Sequence, residues 1–148
     1  MFYNSFDCRL FVNQFIFILV VFFKYMNIDF KWSEIFSKYK DYVFIVEGRK
    51  DADSLNALGF ERVYTINQIG VSLREIIEKI VNDISRKDKV CILTDFDKKG
   101  KQLYKIIKKE MASMNVRIDS SLRKVLLIMG VSHVEGLDSF VEQHSLEG

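Results

Sequence analysis

The chain has 148 residues, of which 49% are apolar and 28% charged, a composition that excludes an intrinsically disordered protein and predicts a single domain. It contains no proline, which excludes proline-rich linkers. The 22 basic and 20 acidic residues leave a formal net charge of only +2, which by itself argues against a strongly cationic nucleic-acid-binding protein.

Residues 1–25 form an apolar N-terminal extension. Nine consecutive apolar residues run from Phe15 to Phe23, but a membrane-spanning helix needs about 20. The segment also lacks the basic region and the cleavage site of a secretory signal. Three interpretations remain open: an interfacial anchor or short membrane segment, a strand or helix packed on the domain, and an upstream extension of the true reading frame. We favour the last, make no firm membrane assignment, and expect residues 26–148 to form the folded domain, ending in a helical C-terminal segment.

From residue 32 onward, short apolar runs alternate with amphipathic helical patterns. The four predicted strands are 42–46, 62–66, 89–93 and 115–118. Helices are predicted at 32–39, 51–58, 72–84, 100–114 and 119–129. Because the strands are apolar throughout and helices separate them, we expect parallel pairing with both faces covered. The predicted fold class is α/β, an open, mainly parallel four-stranded sheet with helices on both faces.

Local signals refine several of these elements. Ser72 and Glu75 have the spacing of a capping box, and Gly59 is placed to end the helix before it. The helix at 100–114 has a predicted apolar stripe of Leu103, Ile106, Ile107 and Met111.

The two cysteines, Cys8 and Cys91, are too few for a disulfide framework, and we expect Cys91 to be a buried, reduced thiol. His133 and His144 do not have the spacing of zinc ligands. The cytoplasm is therefore the expected compartment.

Three acidic residues follow two of the predicted strands. Glu47 comes directly after the first strand, and Asp95 and Asp97 follow the third. In open parallel sheets, function is found at the carboxyl ends of the strands. A single carboxylate there is usually a helix cap or a salt-bridge partner. Three that converge repel one another unless a cation joins them, and oxygen ligands select Mg²⁺. The pattern indicates metal-assisted phosphoryl chemistry.

Two glycines accompany these carboxylates. We expect Gly48 to let the backbone turn sharply beside Glu47. Gly100 opens the helix after Asp97, where N-terminal amides can face an anion. A simple turn explains either glycine taken alone.

Basic residues are concentrated around the aspartates. Residues 86–109 contain nine basic and three acidic residues, a local charge of +6. The helix in this stretch carries six lysines: Lys98, Lys99, Lys101, Lys105, Lys108 and Lys109. Such a cluster is typical of a surface that contacts a phosphate backbone, although a solvated helix face has the same composition. Arg49 and Lys50, just after Glu47, favour the phosphate interpretation.

Together these residues resemble the Toprim domain found in primases, topoisomerases and small nucleases. The resemblance lies in Glu47-Gly48 with Asp51 three residues later, and in the Asp95-x-Asp97-x-x-Gly100 motif. It covers roughly residues 40–119. It implies one or two Mg²⁺ ions held by the three carboxylates, with Glu47 as general acid or base. It also implies that Lys98 and Lys99 lie beside the reacting phosphate. We expect Gly48, Asp51 and Gly100 to support the site, and Arg49 and Lys101 to be further phosphate contacts.

The resemblance also limits the function. The chain has no room for the separate tyrosine-bearing domain of a topoisomerase or for the polymerising and zinc-binding parts of a primase. Small stand-alone members include the nuclease that matures 5S ribosomal RNA and uncharacterised archaeal proteins. We therefore expect a Mg²⁺-dependent endonuclease acting on structured RNA or DNA, with RNA favoured. A non-catalytic module that binds RNA or a ribonucleoprotein through the basic helix is the alternative.

Two other α/β families fit less well. Hydrolases with an Asp-x-Asp motif carry it on the first strand, with Thr or Val where this chain has Lys99. Receiver-like signalling domains need an acidic pair on the first strand, where only Glu47 is found.

Overall fold

A computed structural model describes residues 31–145 together with Gln14 and Ile18. The expectations for Cys8 and for the apolar extension therefore lie outside the described residues, apart from these two positions. The elements in chain order are α1 (Trp32–Ser37), β1 (Val43–Val46), α2 (Arg49–Ala57), β2 (Val63–Thr65), α3 (Leu73–Asp83), β3 (Lys89–Leu93), α4 (Lys98–Ser113), β4 (Arg117–Ile118), α5 (Ser121–Ile128) and α6 (Leu137–Ser145).

The four strands form one parallel sheet in the order β2-β1-β3-β4. The central strands β1 and β3 pair in a register that places Val46 opposite Leu93. All residues of β1 are buried, as are the last four of β3. The predicted fold class, an open parallel α/β sheet, is confirmed.

Helices cover both faces of the sheet, which explains why the central strands are apolar throughout. Phe44 and Val46 of β1 face a core that also contains side chains from α1, α2, α5 and α6. Val43 and Ile45 face the opposite core, which is completed by side chains from α3 and α4. Successive strand residues thus point to opposite layers.

Most local signals are confirmed. The Ser72 hydroxyl accepts a hydrogen bond from the Glu75 amide at 3.3 Å, and the Glu75 carboxylate accepts one from the Ser72 amide at 3.0 Å. Gly59 follows α2 with a φ of +93°, a conformation that favours glycine. Cys91 is fully buried, and burial raises the pKa of its thiol.

The predicted apolar stripe of α4 was wrong at one position. Ile106 is 51% exposed, whereas Ile107 and Met111 are buried and Tyr104 packs beside them. Successive helical residues are about 100° apart. Ile106 is therefore turned away from the face that Ile107 presents to the sheet.

Two helices begin earlier than predicted, because side chains cap their first turns. α2 begins at Arg49, where Asp51 accepts the Gly48 amide at 2.9 Å. α4 begins at Lys98, where Asp97 is the N-cap and accepts the Gly100 amide at 2.7 Å. Both capping carboxylates were predicted site residues.

Within the described part of the chain, none of the helices combines the length and apolar character that crossing a membrane requires.

Arg62 and Asp88 form a bidentate ion pair with N–O distances of 2.9 and 2.8 Å. Hydrogen bonding by Arg62, reinforced by the Ser85 amide, lowers the pKa of Asp88 to about 2. A carboxyl with a depressed folded-state pKa adds stability above its ordinary pKa, and this is lost as the pH falls through the folded value. The unfolding free energy of the parent should therefore fall as the pH drops from about 4 to about 2. Asp88→Asn should not show this part of the fall, because asparagine does not titrate. Urea unfolding of both proteins across this range measures it, and identical pH dependences would contradict the pair's contribution.

Candidate active site

Glu47 and Asp95 lie side by side at the carboxyl edge of the sheet. Glu47 directly follows β1 and Asp95 comes two residues after β3, the strand that pairs with β1. The Asp95 amide donates to Oε1 of Glu47 at 3.0 Å, which joins the two strand ends. The register of these adjacent parallel strands thus brings the Glu47 carboxylate to the backbone of Asp95, two residues that were predicted as metal ligands.

Asp51 anchors the turn beneath Glu47. Its carboxylate accepts the Gly48 amide at 2.9 Å, and the residue is only 9% exposed. Burial raises the pKa of Asp51, the Gly48 hydrogen bond opposes that rise, and the negative charge of Asp95 adds to it. Asp51 therefore fixes the first turn of α2 to the residue that follows Glu47.

The backbone bends at Glu47 and Gly48, as expected, but the bend does not use the conformational freedom of glycine. The residue is extended, with φ −134° and ψ 179°, and serves as the N-cap of α2. A Cβ added here would lie 3.8 Å from Oδ2 of Asp51 and 3.9 Å from Nδ2 of Asn67, which are ordinary contacts. Neither backbone conformation nor space requires glycine at this position.

Gly100 is required for a different reason from the one predicted. Its amide is bound to Asp97 and so already has an anionic partner. A Cβ on Gly100 would lie 2.0 Å from the carbonyl oxygen of Asp95. The buried Thr94 hydroxyl also donates to the Gly100 carbonyl at 2.7 Å. Glycine thus lets the first turn of α4 pack directly on the Asp95 backbone.

Asp95 and Asp97 have different partners. Oδ1 of Asp95 accepts the Val134 amide at 3.1 Å, and Oδ2 lies 3.5 Å from Nδ1 of His133. Asp97 instead caps α4. Both residues lie beyond Leu93, the last residue of β3, so strand pairing does not align them.

The arrangement bears directly on whether Mg²⁺ fits. Among residues 31–145, no three carboxylate, imidazole or thiol groups form a ready-made cation cage. Mg²⁺ does not need one, because it usually keeps several waters and binds through one or two carboxylates plus substrate phosphates. The linked Glu47 and Asp95, with Asp97 two residues further on, are an all-oxygen donor set of this kind. Oxygen donors suit a hydrated Mg²⁺ ion, and these three carboxylates are the residues that would hold it.

The predicted phosphate contacts are all exposed. Arg49 begins α2, and Lys98, Lys99 and Lys101 lie in the first turn of α4. Lys50 is exposed as well, but it has an acidic partner: its ammonium lies 3.6 Å from Oε1 of Glu135.

Five exposed lysines of α4 share one face of the helix. At about 100° per residue they fall within an arc of about 100°, and at 1.5 Å per residue they extend over about 16 Å. Lys99 lies outside this arc. We name as the lysine stripe Lys98, Lys101, Lys105, Lys108 and Lys109. It begins beside Asp97 and runs away from the carboxylates.

Sequence reasoning missed two groups that touch Asp95. One is Arg123 of α5, which hydrogen-bonds to the backbone carbonyls of Thr94 and Asp95. The other is the segment 132–135, which supplies the Val134 amide and His133, and whose Ser132 carbonyl accepts the Phe96 amide at 3.2 Å. Both are far from Asp95 in sequence. Nothing in the sequence around Arg123 indicates that its side chain is buried.

The fold and site define an open parallel α/β domain with carboxylates at the ends of its two central strands. The chain belongs to the Toprim domain family, whose family model matches residues 42–121. The match spans every motif residue from Glu47 to Gly100, and the resemblance noted in the sequence is confirmed.

Two archaeal relatives and one solved structure are similar to this chain. A UPF0292 protein of Methanocaldococcus jannaschii is 31% identical over 105 residues, which are 67% of this chain and 77% of that protein. A UPF0292 protein of Pyrococcus furiosus is 26% identical over 114 residues, covering 76% and 82% of the two chains. A structure of a protein from Aquifex aeolicus superposes with a TM-score of 0.60 at 24% identity, covering 70% of this chain and 93% of that one. This last similarity concerns the fold alone.

Proposed function

We propose that this protein is a Mg²⁺-dependent phosphodiester-cleaving enzyme, an endonuclease that acts on structured RNA or DNA, with RNA favoured. The observation that carries the proposal is the hydrogen bond from the Asp95 amide to the Glu47 carboxylate, 3.0 Å long, which joins two acidic residues beside the exposed start of a lysine-rich helix. A surface that only bound a phosphate backbone would be weakened by carboxylates at this position. Carboxylates next to a phosphate site are instead useful when a cation joins the two.

Each side chain has a role in this proposal. Asp95, Glu47 and Asp97 hold the ion, and Glu47 also exchanges a proton with the reacting oxygen. When bound, Mg²⁺ would neutralise negative charge on the phosphate oxygens. Arg49, Lys98, Lys99 and Lys101 contact the phosphates and hold the backbone in place.

A second candidate function is a non-catalytic module that binds RNA or a ribonucleoprotein. It is favoured by the lysine stripe, which extends about 16 Å from Lys98 to Lys109, well beyond the carboxylates. In this case the protein would bind nucleic acid with a strong salt dependence but leave it uncut.

A substrate panel distinguishes the two functions. The protein is incubated with end-labelled 5S-type RNA, single-stranded RNA, duplex DNA and nicked DNA, each with Mg²⁺ or with a chelator. Cleavage of the folded RNA that requires Mg²⁺ supports the proposal, and the other substrates report its preference. Tight binding to all of them with no cleavage in Mg²⁺ would instead establish the binding module.

The lysine stripe predicts a measurable electrostatic effect. Replacing Lys105, Lys108 and Lys109 by Gln should weaken RNA binding. It should also make the plot of log affinity against log salt less steep by about 2–3, because each lost phosphate contact removes about 0.7–0.9. Fluorescence anisotropy at several salt concentrations measures this slope. Lys79→Gln, an exposed lysine on α3, is the matched control. An unchanged slope in the triple variant would exclude the stripe from the interface.

A further inference from the structure

A buried arginine lies directly behind the acidic edge. Arg123 is 8% exposed. Its guanidinium carbon lies 4.4 Å from the ring centre of Phe96 and 4.5 Å from that of Tyr104. A planar guanidinium stacks well on aromatic rings and is less strongly hydrated than an ammonium group. Burying such a charge is nevertheless costly unless it is hydrogen-bonded and balanced.

The hydrogen bonds of Arg123 reach the backbone that carries Asp95. Nη1 donates to the carbonyl oxygen of Thr94, and Nη2 donates to that of Asp95 at 3.2 Å. One planar guanidinium group therefore bridges two successive carbonyls between the end of β3 and the start of α4. The amide that lies between these two carbonyls along the backbone, that of Asp95, donates to Glu47.

The positive charge of Arg123 lies close to the acidic residues of the site. These two hydrogen-bond acceptors are neutral carbonyls, so the positive charge remains to be balanced by groups further away. The carboxylates of Asp95 and Glu47 interact favourably with it through space. Arg123 thus places a buried positive charge behind the edge of the sheet that carries both residues.

We propose that Arg123 is a positioning residue, which holds the Thr94–Asp95 backbone so that the Asp95 amide meets the carboxylate of Glu47. The functional consequence rests on the proposed function, in which this pair binds the ion. The geometric role does not depend on it.

Amide hydrogen exchange of the full chain, followed by NMR without metal or nucleic acid, tests this role. In Arg123→Lys we expect the Asp95 amide to exchange at least about tenfold faster. Lysine lacks the planar fork that fits both carbonyls and stacks between the two rings, so the local turn should open more often. The amide of Ile45, in the centre of the sheet, should keep its rate. Lys124→Met removes a charge from the adjacent exposed position on α5 and should change neither rate.

Two results would overturn the proposal. One is an unchanged rate at Asp95 in Arg123→Lys. The other is an equal acceleration at Asp95 and Ile45, which would reveal a general loss of stability. If Arg123→Lys does not fold, Arg123→Gln, which can still reach one carbonyl, takes its place under the same criteria.

A second readout connects the role to the site. Calorimetric titration with Mg²⁺ should show about tenfold weaker binding to Arg123→Lys, the lower end of the effect that outer-shell partners have on metal affinity. Unchanged Mg²⁺ affinity would exclude a part in ion binding. A parent protein that binds Mg²⁺ but cuts none of the substrates would disprove the proposed function while leaving the role of Arg123 intact.

Discussion

Replacing Asp95 by Asn is expected to lower the rate of Mg²⁺-dependent cleavage by about two to three orders of magnitude, as loss of one electrostatic partner of a transition state does. Asparagine has the same size and its oxygen can still accept the Val134 amide, which bonds to Asp95 at 3.1 Å. It lacks the negative charge that Mg²⁺ requires. The fold should therefore persist, with an unfolding free energy that changes by less than about 1 kcal/mol. Single-turnover cleavage and urea unfolding measure the two quantities.

The matched control for this variant is Asp53→Asn, which removes the same charge from an exposed position of α2. It should leave cleavage within about twofold of the parent rate, a change of less than about 0.5 kcal/mol in the barrier. If Asp95→Asn cleaves as fast as Asp53→Asn, Asp95 is not part of the catalytic centre.

Gly100→Ala is expected to cost both stability and activity. The added Cβ would lie 2.0 Å from the Asp95 carbonyl oxygen and 2.5 Å from its carbonyl carbon. Because both atoms belong to the backbone, α4 or the Asp95 turn must move. Overpacking of this kind typically costs about 1–3 kcal/mol. Cleavage should fall further than stability alone explains, because the movement displaces Asp95 from Glu47.

Gly48→Ala provides the comparison, because it adds the same methyl group on the other side of the site. The Cβ would make only ordinary contacts, 3.8 Å from Asp51 and 3.9 Å from Asn67. Its cost should be below about 1 kcal/mol, arising from the weaker capping by alanine. Equal unfolding midpoints for the two variants in urea would show that α4 does not pack on the Asp95 backbone as closely as described.

The fold was largely predictable from the sequence, because burial on both sides leaves a plain signature. Val43–Val46 and most of Lys89–Leu93 are apolar at every position, which distinguishes them from strands with one wet face. Helical patterns between them then determine parallel pairing. Boundaries were less accurate, because the capping roles of Asp51 and Asp97 begin two helices before their apolar stripes do.

The candidate site was predictable only where topology determines position. Glu47 and Asp95 follow adjacent parallel strands, so their proximity follows from the sheet. By contrast, Arg123 and Val134 reach Asp95 from 28 and 39 residues away in sequence. No local pattern marks either contact, since both depend on how α5 and the segment after it pack. The tight constraint at Gly100 is equally invisible, because it comes from the neighbouring backbone.

The structure shows where the charges of this chain are concentrated. The net charge of +2 conceals the lysine stripe on one helix face and a carboxylate pair at its N-terminal end. In the proposed function, the lysine stripe attracts phosphates and the neighbouring carboxylates hold a divalent cation. The two properties can be tested independently, the stripe by salt dependence and the carboxylates by metal dependence.

The most direct test of Mg²⁺-dependent cleavage compares the parent protein with the Glu47→Gln/Asp95→Asn double variant, purified identically. Both are incubated with a labelled, folded RNA in Mg²⁺, in chelator, and in chelator followed by excess Mg²⁺. We predict cleavage by the parent that stops with chelator and returns with Mg²⁺, and none by the double variant. Equal cleavage by the two proteins, or cleavage by the parent that persists in chelator, would contradict a metal-dependent centre built on Glu47 and Asp95.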